Sequence, residues 1–207
     1  MRGGVTMRIR FRGEFERVRL KSAALAYAAH GWDVLPGAYL ARGRYCCGSG
    51  CRTVACHPAR PERPDLVSHQ PDVVGTWWSR RPFSVLLPTG LTFDVLEVSA
   101  CPAATIAQAA CGGPVAVTSA GRWMIPVRPG SDLCPDLAGR TDVVLHGPGS
   151  WVPAPPTREP GGRIRWVVSP TDAQWRLPDA VRVQAALVDV LPALGHPPPY
   201  TRIRVAA

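Results

Sequence analysis

The chain is nearly without lysine: Lys21 is the only one among 24 basic residues, so its positive charge is carried by arginine. Acid is scarce too, with 15 Asp and Glu against those 24, leaving a net charge of +9 and an isoelectric point near 9.8. That balance disfavours basic partners and favours a polyanion, because each neutralised phosphate releases counterions, and the planar arginine fork suits phosphates and base stacking. A coding bias toward Arg, Ala, Pro and Gly gives the same charge, so charge alone does not name the partner. No apolar run approaches the length of a membrane span, so no membrane partner is expected. Arg8, Arg10 and Arg12 near the start are not followed by the apolar stretch of a signal peptide, and a cytoplasmic location is expected. There is no internal repeat and no Gly-x-x-x-x-Gly-Lys-Ser/Thr loop, hence no phosphate-cradling motor of that kind in this chain.

What is present suffices for one core: 46% of the 207 residues are hydrophobic. The expected organisation is a loose basic lead-in over residues 1–19, a domain over 20–194 and a proline-rich tail over 195–207. Seven cysteines are an odd number, and Cys46, Cys47, Cys51 and Cys56 crowd together just before His57. In a cytosolic chain such crowding points to metal rather than disulfides. Cys47, Cys51, Cys56 and His57 are the expected donors of a structural Zn2+, with Cys46 in reserve because adjacent Cys56 and His57 do not easily reach one ion together. The alternative is a set of reduced, unliganded thiols. No acid or base accompanies the cluster, so a catalytic zinc is not expected.

Residues 84–98 read as two strand segments around the turn signal Pro88-Thr89-Gly90. Asp94 and Glu97 lie in the second, among residues that want burial, where charges are paired or hold a metal; an edge strand with solvated acids is the alternative. Upstream, residues 22–30 read as an alanine-rich helix capped by Ser22 and ended by Gly31, with His30 in the last turn, and Trp32 to Pro36 as the first core strand. Residues 72–78 make a short helix with Val73, Val74, Trp77 and Trp78 on its apolar face. Downstream come a small-residue helix over 103–110, strands over 114–119 and 122–128 joined as a hairpin, and a loop over 131–137. A strand from Asp142, a glycine turn and a proline-rich run follow, then a strand over 162–168. The last element is a helix over 179–194 with Val181, Ala185, Leu187, Val188 and Leu191 inward. Strands linked by short turns among helices indicate an α+β class.

The order of these features resembles the N-terminal domain of bifunctional DNA primase/polymerases (Prim-Pol). Residues 24–36 resemble its opening "A-x-A-x-x-G-W-x-V-x-P"; 46–58 its Cys-rich loop ending in His-Pro; 72–82 its "W-W" helix; Thr89-Gly90-Leu91 the turn before its acidic strand. Residues 142–156 with 162–166 resemble its "D-x-R-G-x-G-G-Y-V-V-A-P-P-S" segment and later "Y-R-W". The resemblance spans about residues 22–168 and implies a mixed sheet related to archaeo-eukaryotic primases, with flanking helices. It also implies template-directed DNA and primer synthesis in replication from nucleoside triphosphates, with Mg2+ or Mn2+ on acidic residues and a separate helicase as partner. By resemblance Asp94, Glu97 and Asp142 are the catalytic acids, and Arg122 and His146 meet the triphosphate.

The sequence departs from the family pattern at three places. The family acids stand two apart and share a strand face, whereas Asp94 and Glu97 stand three apart, so only a β-bulge brings both to one ion. Glu97 matches the second acid, which leaves Val95 at the first; Trp123 stands where a histidine is expected; and Val144 or Leu145 stands where an arginine is expected. Three functions follow: a nucleotidyltransferase; an inactive member of the same fold that binds nucleic acid or nucleotide; and a zinc-stabilised interaction module. A bulge at 95–96 marks the first, a retained basic groove the second, and neither the third.

Overall fold

The computed structural model describes residues 3–47, 50, 53–60, 66–99 and 103–191, and the side chains of all of these except 3–12, 103, 104 and 108. The chain opens with a long helix, α1 (Gly3–Ala29), then β1 (Leu35–Gly37) and the ribbon β2 (Tyr39–Ala41) and β3 (Arg44–Cys46). Next come α2 (Pro71–Arg80), β4 (Ser84–Pro88), β5 (Asp94–Val98), α3 (Ala103–Ala109), β6 (Val115–Val117) and β7 (Trp123–Val127). The remainder is α4 (Pro135–Ala138), β8 (Val143–His146), β9 (Trp151–Pro153), the two-residue strands β10 (Arg158–Glu159) and β11 (Gly162–Arg163), β12 (Arg165–Val168) and α5 (Ala180–Val190).

The main sheet has the order β12-β6-β7-β5-β8, with β5 between β7 and β8, and a smaller sheet has the order β1-β4-β9. Every pairing among the described strands is antiparallel, so the expected mixed sheet is instead an antiparallel sheet facing a second one. The main sheet is apolar on both faces because its strands alternate core residues with core residues. Val95, Ala116 and Met124 face one way and join Val85, Leu87 and Val152 of the small sheet and Tyr27, Trp32, Val74 and Trp78 of the helical region in one core. Leu96, Val98, Val115, Val117, Trp123, Ile125 and Val127 face the other way and pack on Ile106, Leu137, Val183 and Leu187 of α3, α4 and α5.

Several sequence expectations are corrected here. The lead-in is not loose: α1 runs from Gly3, so Ser22 is mid-helix and caps nothing. The helix is held from its own flank, with Glu16 pairing bidentately with Arg163 at 2.5 and 2.6 Å, and Arg17 and Lys21 each donating to Ser79 at 2.7 Å. The first core strand begins at Leu35, and Trp32 is instead packed beside Tyr27, ring centroids 5.9 Å apart. The strands of residues 84–98 do not pair with each other: β4 belongs to the small sheet and β5 to the main one. The turn between them is tied to a later turn, because the Thr89 amide donates to Ser150 O at 3.0 Å and its hydroxyl to Gly147 O at 2.7 Å. Part of the loop over 131–137 is helical, as Pro135 starts α4. Of the face expected of α5, Leu187 and Leu191 are buried and Val188 packs partly on the core, but Val181 and Ala185 are exposed, with Ala180, Val183 and Gln184 buried instead. Its N-cap is Asp179, whose side chain accepts from the Val181 and Arg182 amides.

Candidate functional site

β5 positions both acids, and its pairing decides their geometry. All five residues pair in unbroken register with β7, Asp94 opposite Val127 through Val98 opposite Trp123, so no bulge lies at Val95 or Leu96. With period-two alternation, Asp94 shares a face with Leu96 and Val98, toward the helices, and Glu97 shares the opposite face with Val95. The opposite faces expected of a regular strand are what is observed, and the bulge that would mark a working transferase is absent.

Glu97 is the centre of a polar cluster at the margin of the inter-sheet face. One carboxylate oxygen accepts from the Arg122 Nε, and the other meets His146 Nε2 at 2.6 Å. Arg122 also donates to the Ser99 hydroxyl, and His146 Nδ1 lies 3.2 Å from Ser150 Oγ. These contacts follow from register: Val95 pairs with His146, and Ser99 continues the Glu97 face beyond β5, where Arg122 precedes β7. Burial raises the cost of ionising Glu97, but the hydrogen bonds and charges of His146 and Arg122 outweigh it and hold its pKa below the ordinary value. The stability this adds is present above about pH 4.3 and is lost as acid protonates the folded carboxylate. Wild type is therefore expected to lose melting temperature more steeply than Glu97→Gln as pH falls through about 4, read by circular dichroism in acetate and formate buffers. Parallel curves would mean that the clamp adds no pH-dependent stability.

Asp94 is almost fully buried, with Oδ2 accepting from the Gly130 amide at 2.9 Å. Its Oδ1 has no hydrogen-bond partner among the described residues and lies toward Gly147, where a side chain is absent. Asp142 continues β8 outward, opposite Ser99, and is bound bidentately by Arg140 at 2.8 and 2.9 Å. The residue facing Glu97 from β8 is Val144. Trp123, in the expected histidine place, belongs to the helix-side core and so lies across the sheet from Glu97. Sequence reasoning named Arg122 and His146 but missed Ser99, Ser150, Arg140 and Gly130, whose contacts depend on strand register.

The line Ser150–His146–Glu97 has the order of nucleophile, base and orienting acid. Its chemistry is blunted in two ways. Glu97 is shared with Arg122, and the Ser150 amide is already donated to Gly147 O at 3.2 Å. The cluster is better described as a neutralised carboxylate with two cation-capable partners.

The cysteine loop lies near the small sheet. His57 Nδ1 is 2.8 Å from Ala55 O, and burial pushes the Cys56 thiol up to about 12, so that it is protonated in the absence of a metal. Cys51 lies outside the described residues. Among the described residues no three His, Cys, Asp or Glu side chains converge as a metal site.

The family model for the N-terminal domain of bifunctional DNA primase/polymerases matches residues 24–180. The chain belongs to the Prim-Pol family. No curated protein and no solved structure matches it. The match runs to Ala180, the first residue of α5, and so takes in every described strand of this Prim-Pol domain. Membership brings with it a DNA primase/polymerase-related function at the level of the family. No helix of the described residues is long and apolar enough to cross a membrane.

The acids present do not fit the family's two ions. Two-metal transfer needs carboxylates that converge on one face with lone pairs to spare. Here one acid lies across the sheet, one is held by two partners, and one is locked to an arginine.

Proposed function

We propose that this Prim-Pol domain binds nucleic acid or nucleotide and does not carry out nucleotidyl transfer. The observation that carries the reading is the Glu97 clamp: the acid a metal would need is spent on Arg122 and His146, and Asp94 cannot reach it through the sheet. The net charge of +9 supports retained affinity for a polyanion.

The competing reading is a working primase/polymerase using Mg2+ or Mn2+ on Asp94, Glu97 and Asp142, with Arg122 and His146 on the triphosphate and a helicase alongside. Family membership favours it. It requires β5 to bulge or slip against β7, and both the Glu97 and Asp142 pairs to open. A structural Zn2+ on Cys46, Cys47, Cys51, Cys56 and His57 is compatible with either reading.

Primer extension on a primed DNA template, with Mg2+ or Mn2+, decides between them. No extension by wild type, with DNA or nucleotide still bound in fluorescence anisotropy, is the expected result. Extension that Glu97→Ala and Asp142→Ala both abolish would overturn it and establish a polymerase. Absence of binding as well would remove the nucleic-acid reading altogether.

A further inference from the structure

The surface away from Glu97 carries a second concentration of arginine. α2 ends in Arg80, followed directly by Arg81, and both are exposed. Together with Arg60 from the loop after β3, they line a cavity of about 660 Å3 whose wall also contains Trp77, Phe83 and Thr76. Among the described residues no Asp or Glu lines it. Arg17, Arg122, Arg128, Arg140 and Arg163 pair with carboxylates, whereas Arg60, Arg80 and Arg81 pair with none among the described residues. Arg81 is steadied by a long hydrogen bond to the Tyr39 hydroxyl at 3.5 Å. Unopposed guanidinium groups around an aromatic wall repel one another and gain most from an anion that also offers a flat face.

Trp77 is placed to supply that wall. It follows the helical phase one residue before Trp78, which is fully buried and anchors the helix through Nε1 to Phe83 O at 2.8 Å. Trp77 is therefore left half-buried at the cavity, its ring tilted against Trp78.

Leu35 lines both this cavity and a neighbouring one of about 560 Å3 that Gly149, Ser150 and Trp151, in the turn after His146, also line. Pro58 lines the one and Ala59 the other.

We propose that the groove between α2 and residues 59–60 holds a segment of single-stranded nucleic acid, with phosphates on Arg60, Arg80 and Arg81 and a base against Trp77. The proposal rests on the nucleic-acid reading above and adds the place on the surface that holds the strand. A single strand presents base faces to Trp77, which a duplex hides, and stacking of this kind tolerates any sequence.

The test measures anisotropy of a fluorescein-labelled oligothymidylate, an abasic oligomer of equal length and a duplex, across a salt series. Wild type is expected to prefer the single strand. Arg80→Ala with Arg81→Ala should weaken it about tenfold or more and flatten the log-affinity against log-salt slope by about 0.7 per lost contact. Trp77→Leu, which keeps apolar bulk in the helix, should weaken the oligothymidylate several-fold and leave the abasic oligomer unchanged. Arg176→Ala with Arg182→Ala, at the separate cavity beside α5, should change neither. Single-strand binding untouched by the Arg80 and Arg81 changes would overturn the groove while leaving the nucleic-acid reading intact. Equal binding of duplex, or an equal Trp77→Leu effect on the abasic oligomer, would overturn single-strand stacking. Binding of no nucleic acid by wild type would overturn the groove and the reading together.

Discussion

Gly90→Ala should lower the melting temperature by about 10 °C, a loss of about 3–5 kcal/mol for a chain of this size. Gly90 has φ +93°, which an L side chain rarely adopts, and a Cβ there would stand 2.2 Å from Pro148 Cα and 2.5 Å from Pro148 N. Backbone rather than a pliable side chain is in the way, so one of the two turns must move. Gly121→Ala separates the two penalties, since it has φ +77° but nothing within 4 Å. It should cost only about 1 kcal/mol, the left-handed penalty by itself. Equal losses for the two variants would show that the approach to Pro148 is not what holds these turns together. The effect also bears on function. Pro148 lies two residues after His146, so a displaced turn should disturb the Glu97 clamp, and Gly90→Ala should blunt the acid dependence that the clamp produces.

Trp78→Ala carries the second large effect, about 3–5 kcal/mol. The side chain is fully buried among Val74, Phe83 and α1, and its loss leaves a cavity the size of an indole at the junction of α2 and the inter-sheet core. Trp78→Phe keeps most of the packing but removes the donor to Phe83 O, and should cost about 1–2 kcal/mol. The check is the midpoint of urea unfolding at constant slope. A Trp78→Ala midpoint close to wild type would mean that α2 is not locked to the core through this residue, and the groove walled by Trp77 would then lack a rigid base.

The legible parts of the chain are those set by local chemistry. The helix after Pro71 and the hairpin from Val115 to Val127 follow from turn residues and from alternation. The opposed faces of Asp94 and Glu97 were equally readable, because three residues on a regular strand reverse the side. What escaped depends on partners far away in sequence. Pro88-Thr89-Gly90 looks like a hairpin turn, yet Thr89 spends its amide and hydroxyl on residues 147–150, and β4 pairs with β9 instead. α5 has apolar residues on nearly every side, so part of its phase was settled by the sheet it meets rather than by its own pattern: Val183 turned inward and Val181 outward. Residues 1–19 carry little apolar periodicity, and the helix there is pinned instead by Glu16 to Arg163 and Arg17 to Ser79.

The main sheet stands as a bulkhead between two compartments, and β5 is the strand that both share. Changes on the Glu97 side need not propagate to Leu96, Val98 and the helices behind them, because successive residues answer to different neighbours. A lineage can therefore lose or rebuild its chemistry on one side while the other side continues to carry the fold. Chemistry on the Glu97 face can thus change with no redesign of the helix-side core.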